Sequence, residues 1–208
     1  MVDQVNLPLI LLAALISTAS PGPATLAIAS ASMSSGRRNG LAMAAGITTG
    51  SWLWSVSAAM GLGAIMLAHA WAFEVVRYLG ACYLLYLAFR SARSTFAGPS
   101  RVDLSGNVQT LRSAYFHGLG LHMTNPKAIL FFGALFSIGM PASASGSTLA
   151  LVIVAVGLQS CFIFHFYAVL FSNSSMSKRY ARLQKWFDYV FAAAFGLAGI
   201  KVLTTRIS

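Results

Sequence analysis

Residues 5–35 of the chain read VNLPLILLAALISTASPGPATLAIASASMSS, without a charged residue. The motif Ser20-Pro21-Gly22-Pro23 interrupts this apolar stretch near its middle. Proline removes a backbone donor and clashes with the preceding helical turn, so the motif predicts a helix break. In hydrocarbon such a break leaves polar backbone groups that only protein or a water-filled cavity can satisfy. We therefore predict a broken membrane span with a binding site at its interruption.

A second break is predicted in residues 113–140, where the motif is Thr124-Asn125-Pro126-Lys127. In transporters built from inverted repeats, interrupted helices at corresponding places in the two halves indicate the substrate site. The alternative is that both motifs are simple proline kinks, which membrane helices tolerate. Their matched positions favour a site. The candidate substrate-binding residues are Ser20, Pro21, Gly22, Pro23, Thr49, Ser51, Asn125, Pro126 and Lys127.

The composition indicates an all-α integral membrane protein. The chain is 57% hydrophobic and only 9% charged, with mean hydropathy +0.73, and its apolar stretches are long enough to cross a bilayer. We predict one transmembrane domain over residues 1–208. It comprises two inverted three-helix repeats, about 5–95 and about 113–204, joined by a cytoplasmic connection at about 96–112. The six predicted spans are Val5–Ser35, Gly40–Ala68, Trp71–Phe89, Ser113–Met140, Ser147–Ser172 and Trp186–Leu203.

The formal net charge of +10 is distributed as a membrane topology requires. Basic residues concentrate in alternate connections, those after the first, third and fifth predicted spans, while the other connections carry few. Because Lys and Arg favour the cytoplasmic side, both termini are predicted to lie outside. The basic charge is therefore no sign of nucleic-acid binding, although the same loops can touch anionic membrane lipid.

Several motifs resemble the lysine exporter superfamily, specifically its homoserine/threonine-resistance (LysE/RhtB) branch. They are the Ser20–Pro23 motif, residues 36–40 (GRRNG) with Gly46 and Gly50, residues 80–87 (GACYLLYL) and residues 125–132 (NPKAILFF). This resemblance implies a six-helix exporter of amino acids and related metabolites in the bacterial inner membrane, driven by the proton-motive force. It implies neither an enzyme nor a cofactor. Whether the chain forms a homo-oligomer stays open.

One departure from the family concerns proton coupling. Members often carry an acidic residue after the second-helix glycine, where this chain has Ser51. No carboxylate falls near the middle of a predicted span, although membrane proton relays usually depend on such groups. His122 and His165 therefore become the candidate proton carriers. The lack of acidic ligands also disfavours dibasic substrates and bound metal, so we predict neutral amino acids.

Lys127 is the basic residue predicted deepest in a span, about 21 Å along the fourth helix. We expect it to face a cavity, where its ammonium and the helix N-terminus after Pro126 would attract the substrate carboxylate. Carbonyls freed near Pro21 and Pro23, with hydroxyls such as Thr25, would take the substrate ammonium. The alternatives are that Lys127 extends to the outer interface or pairs with a backbone carbonyl for the stability of the fold.

Two other functional classes remain. A metal or cation exporter would need grouped ligands, and a membrane thiol-redox protein would need two cysteines in contact. Cys82 and Cys161 have apolar neighbours in the sequence, so we predict that both are buried and unreactive.

Overall fold

The computed structural model describes residues 5–68, 75, 78, 81–82, 85–93, 110–139 and 144–204. All regular structure within these ranges is helical. Most of the predicted connection at 96–112 and much of the predicted span Trp71–Phe89 lie outside the described residues. The helices are α1 (Leu7–Ala19), α2 (Pro23–Ser35), α3 (Arg37–Ala68), α4 (85–93), α5 (Leu111–Met123), α6 (Pro126–Gly139), α7 (Gly146–Phe171) and α8 (Ser174–Thr204).

Both predicted breaks are present. The first predicted span is two helices, α1 and α2, whose axes differ by 50° across the interruption. The second broken span is the pair α5 and α6, separated by Thr124 and Asn125. In each case the second helix begins at a proline, a position where the missing N–H is not needed by the helix. The prolines therefore end one helix and begin the next, as their chemistry predicts.

Helix α3 lies at the centre of the bundle and packs against α2, α5 and α7. Glycines bring α3 and α5 into backbone contact: a Cβ at Gly46 would overlap the Tyr115 carbonyl, and one at Gly118 would overlap the Met43 carbonyl. Small residues at a helix interface allow backbones to approach this closely. The contact fixes α5, and with it the second break, against the centre of the bundle.

Helix α7 has the composition of a complete membrane span. Among the described helices it alone is long and apolar enough to cross a bilayer by itself, and the bent pair α1 and α2 forms a second such unit. Large apolar side chains remain exposed along one face of α7 at helical spacing, as lipid contact requires. They are Leu151, Val154, Leu158, Phe162, Phe166 and Val169.

Helix α8 starts earlier than the predicted sixth span. The sequence places residues 178–185 in a connection before Trp186, whereas the helix begins at Ser174 and includes that basic stretch. Only Ser172 and Asn173 separate α7 from α8. Lys and Arg are good helix formers, so a basic stretch joined to an apolar helix continues it rather than forming a loop.

Candidate functional site

In the first break, the N-terminus of α2 is open, in the sense that no side chain caps its backbone N–H groups. Ser20 and Gly22 adopt extended backbone conformations between α1 and α2. Gly22 is the N-cap residue of α2, and no side chain caps this helix. The backbone N–H groups of Ala24 and Thr25 fall in its first turn, where a helix supplies no acceptor of its own. The N-terminus of α2 therefore presents a partial positive charge to whatever lies before it.

The carbonyls that the prolines free in the first break already have donors. In a continuous helix, the carbonyls of Ser17 and Ala19 would accept from residues 21 and 23, which are prolines and have no N–H. Instead the Ser20 Oγ donates to the Ser17 carbonyl at 2.9 Å, and the Tyr167 hydroxyl donates to the Ala19 carbonyl at 2.8 Å. The prediction that these carbonyls wait for the substrate ammonium is therefore wrong.

The second break satisfies its own backbone. The Asn125 Oδ1 caps α6 by accepting from the backbone N–H of Lys127 at 3.0 Å. The carbonyl freed by Pro126 is that of His122, which accepts from the Asn125 N–H at 3.3 Å and from the Trp54 Nε1 at 3.4 Å. The expectation of a helix N-terminus at Pro126 open to a carboxylate is therefore wrong, because the adjacent asparagine fills that role.

The side chain of Lys127 joins the two breaks. Its Nζ donates to the Ser20 carbonyl at 3.2 Å and also to the Ser20 Oγ. The lysine side chain passes beside Gly22, where a Cβ would lie at ordinary contact distance, 3.5 Å from the Nζ. Lys127 therefore faces the interior, as predicted, and not the outer interface. This contact occupies the Ser20 carbonyl, an oxygen that a substrate ammonium could otherwise use, and it is also the contact that a purely structural role for Lys127 predicts.

A cavity of about 430 Å³, including its open mouth, lies between the two breaks. One side is polar and carries the residues of the breaks with hydroxyls from α1, α2 and α3, while the other is apolar and comes from α6 and α7. The lining residues are Ser17, Thr18, Ser20, Gly22, Pro23, Ala24, Thr25, Ser51, His122, Asn125, Lys127, Ala128, Phe131, Phe132, Ser160 and Phe164. This lining contains no carboxylate.

His122 lies in this cavity and is held from several sides. Its Nε2 is 3.1 Å from the Ser51 Oγ, and its ring packs edge-on against Phe164 with centroids 6.0 Å apart. Gly50 makes room for this side chain, since a Cβ there would lie 3.0 Å from both the Cβ and the ring Cδ2 of His122. The other ring nitrogen, Nδ1, is buried and has no hydrogen-bond partner among the described residues. The serine that replaces the family's acidic residue thus contacts a histidine.

Three predicted site residues whose side chains the structure describes do not line the cavity: Pro21, Thr49 and His165. Thr49 accepts from the Tyr115 hydroxyl at 3.0 Å and donates to the Ala45 carbonyl at 3.0 Å, so it links α3 to α5. The His165 Nδ1 donates within α7 to the Cys161 carbonyl at 2.8 Å. Pro21 shapes the first break without entering the cavity lining, and the side chain of Pro126 lies outside the described part of the chain.

The sequence analysis missed the contribution of α7 and the end of α1. Ser160 and Phe164 of α7 line the cavity, as do Ser17 and Thr18 of α1. Ser160 is 2% exposed and makes no hydrogen bond within the described part of the chain. A buried hydroxyl in an apolar helix is a signal in the sequence, but the helix face that it occupies depends on packing.

The described residues give little support to the two alternatives, a metal or cation exporter and a membrane thiol-redox protein. Within the described ranges, no three His, Cys, Asp or Glu residues group as metal ligands. Cys82 is exposed and Cys161 is partly exposed, so the prediction that both are buried is wrong. The thiol of Cys161 lies 3.6 Å from the His165 Nδ1. Asp188, the one acid that the structure describes, is 4% exposed and does not line the cavity.

Comparison with known proteins supports the resemblance seen in the motifs. The sequence model of a family described as LysE type translocator matches residues 15–206. A threonine efflux protein of Salmonella typhi is 26% identical over 194 residues, which cover 92% of this chain and 94% of that protein. A threonine efflux protein of Escherichia coli strain K12 is 28% identical over 198 residues, also 92% and 94% of the two chains. No solved structure matches.

Proposed function

We propose that this chain, which belongs to the LysE type translocator family, exports small neutral amino acids from the bacterial cytoplasm, driven by the proton-motive force. Family membership makes it a multi-pass protein of the inner membrane, and it supports the proposed role as a transporter. The observation that carries the proposal is the cavity between the two helix breaks, which combines an uncapped helix N-terminus with backbone and hydroxyl oxygens. A zwitterion needs both kinds of group.

The substrate carboxylate binds the open N-terminus of α2 in this proposal. The N–H groups of Ala24 and Thr25 are the donors, since no side chain of the protein caps them, and helix N-termini favour negative charge. Thr25 is 3% exposed, lines the cavity and makes no side-chain hydrogen bond within the described residues. Its hydroxyl adds a third donor, and a buried hydroxyl of this kind requires a partner.

The substrate ammonium binds at the oxygens of Ser20, the group that Lys127 contacts in the empty cavity. The absence of a carboxylate from the described lining disfavours dibasic amino acids and metal ions, because a second positive charge would find no counter-ion. The relatives that are threonine efflux proteins agree with a small neutral substrate. Phe131, Phe132 and Phe164 form the wall that limits side-chain size.

The full proposed site keeps the predicted residues, with the roles that their contacts indicate. Ser20, Gly22, Pro23, Ser51 and Lys127 line the cavity directly. Asn125 acts by capping α6 and so positions Lys127. Pro21 and Pro126 act through the breaks that they create, and Thr49 acts through the packing of α3 on α5. Of the two candidate proton-carrying histidines, His122 faces the cavity, whereas His165 does not.

The proposed architecture is two inverted three-helix repeats in a single domain, with both termini outside the cytoplasm. Two features support it: the broken pairs α1/α2 and α5/α6 begin the two halves, and an odd number of spans per half places the halves in opposite orientations. A sulfhydryl reagent that labels a cysteine introduced at Asn6 from the periplasm of intact cells, and one at Asn173 only after permeabilisation, would support this topology. The reverse pattern would refute it.

Uptake into inside-out vesicles tests the proposed function. Vesicles with the protein and vesicles without it are given labelled threonine, serine, leucine, lysine and manganese, with and without an imposed pH gradient. We expect gradient-dependent uptake of small neutral amino acids and none of lysine or manganese. Uptake of lysine or manganese alone, by protein shown to be intact, would move the assignment to a dibasic amino acid or metal exporter.

A further inference from the structure

Lys127 has an unusual environment for an ammonium in a membrane protein. Its hydrogen-bond partners within the described residues are the carbonyl and the hydroxyl of Ser20, which are both neutral. No carboxylate lines the cavity in the part of the chain that the structure describes. A buried cation without a counter-ion is costly. A lysine amine can meet this cost by losing its proton, whereas an arginine keeps its charge.

The other charged and titratable groups near Lys127 are less suited than Lys127 to release and take up a proton. Arg90 of α4 lies close enough for its charge to act on Lys127, and as a guanidinium it does not exchange a proton. His122 of α5 faces the same cavity, but its Nδ1 is buried and has no partner within the described residues. An imidazolium donates from both nitrogens, so a second proton on His122 would find no acceptor there. The cavity-lining residues of α1, α2, α3 and α7 are not titratable.

Resting on the proposed function, we propose that Lys127 carries the coupled proton, and that its ammonium and the substrate ammonium compete for the oxygens of Ser20. The two groups have the same chemistry, three N–H donors and one positive charge. Two ammonium groups side by side, with Arg90 near Lys127, repel each other strongly in a low-dielectric cavity. The cavity therefore holds one ammonium at a time.

The exchange balances in charge and protons. On the cytoplasmic side, the Lys127 ammonium releases its proton to water, and the substrate ammonium takes its place at Ser20. The neutral lysine nitrogen then has a lone pair and accepts a hydrogen bond from the substrate ammonium. On the outer side, a proton from water binds Lys127, the ammonium returns to Ser20 and the substrate leaves. One proton thus moves inward for each amino acid exported.

Proton release on binding tests this mechanism directly. Purified protein is titrated with L-threonine in weakly buffered solution, with a pH indicator for protons and calorimetry for binding. We expect proton release that rises toward one per bound threonine as the pH falls, because Lys127 is then more fully protonated before binding. The affinity for threonine should fall with pH in parallel.

Three variants decide which group is responsible. Lys127→Gln should bind threonine without proton release and with an affinity that does not depend on pH. His122→Gln should still release the proton, whatever its affinity. Lys127→Arg keeps a permanent cation at Ser20, so at high pH, where Lys127 of the wild type is neutral, it should bind threonine roughly tenfold or more weakly than the wild type, and this difference should narrow as the pH falls.

The outcomes separate this inference from the proposed function. If the unmodified protein binds none of the neutral amino acids, the proposed function fails. If it binds threonine but proton release persists in Lys127→Gln or disappears in His122→Gln, the inference alone is overturned. Should Lys127→Gln lose binding altogether, Lys127→Arg decides: wild-type affinity in that variant at high pH would overturn the competition, and weakened affinity there would support it.

Discussion

The two helix breaks look alike in sequence but differ in how their backbone groups are satisfied. The second break is closed: Asn125 caps α6, and the carbonyl that Pro126 frees accepts from two donors. The first break is open at one end, because no side chain caps α2. The Ser20 carbonyl of the first break accepts from Lys127, which comes from the second break and is the one donor to it within the described residues.

This difference separates a structural break from a binding break. A closed break needs nothing further and can serve as a fixed support. An open break in hydrocarbon requires a partner, which is either another part of the protein or a ligand. The closed break therefore supplies a rigid Lys127, and the open break supplies the groups that the substrate contacts. Helix breaks at matched positions of two inverted repeats therefore need not contribute equally to substrate binding.

The largest expected effect tests the backbone contact between α3 and α5, which holds the second break in place. Gly118→Ala should destabilise the protein by about 3 kcal/mol, because the new Cβ overlaps the Met43 carbonyl and backbone cannot move aside as a side chain can. Gly120→Ala, two residues along the same helix with no heavy atom within 4 Å of its Cβ, is the matched control. Thermal unfolding in detergent measures both. Equal melting temperatures would refute the backbone contact between α3 and α5.

The next effect tests the open N-terminus of α2. Thr25→Val keeps the shape of the side chain but removes its hydroxyl donor, and we expect the KM for threonine to rise roughly tenfold, the size of a lost hydrogen bond to a charged group. Thr25→Ser keeps the hydroxyl and should stay near the wild-type value. A wild-type KM in Thr25→Val, measured in inside-out vesicles, would place the substrate carboxylate elsewhere.

The sequence alone predicted both breaks and the inward position of Lys127, because proline geometry and a lysine deep in an apolar span have few interpretations. It could not show which break is closed. That depends on whether the Asn125 side chain turns to its own helix and on Tyr167, 148 residues away from Ala19 in the chain, reaching the first break. The part of the cavity formed by α7 was missed for the same reason, since the faces that meet are decided by packing.

A smaller effect tests whether Asn125 of the second break acts through the cap of α6 and not through contact with the substrate. Asn125→Ala should cost about 1 kcal/mol of stability through loss of the α6 cap. Asn6→Ala, which removes the cap of α1 away from the cavity, should cost a similar amount and leave threonine transport unchanged. Asn125→Ser restores a capping oxygen and should recover stability and transport together. Recovery of stability without transport would show that Asn125 contacts the substrate directly.

The smallest effect concerns the Ala19 carbonyl of the first break, which accepts a hydrogen bond from the Tyr167 hydroxyl. Tyr167→Phe removes the donor to the Ala19 carbonyl and should cost about 1 kcal/mol, because a buried carbonyl loses its partner. Tyr115→Phe removes a hydroxyl that bonds Thr49 at the contact between α3 and α5 instead, and it should lower stability but reduce transport less than Tyr167→Phe. Transport by Tyr167→Phe should fall as well, since the Ala19 carbonyl borders Ser20, whose position decides how an ammonium is held. If both variants transport threonine at the wild-type rate, the exact position of Ser20 does not matter for transport. That result would contradict the proposed competition of two ammonium groups at Ser20.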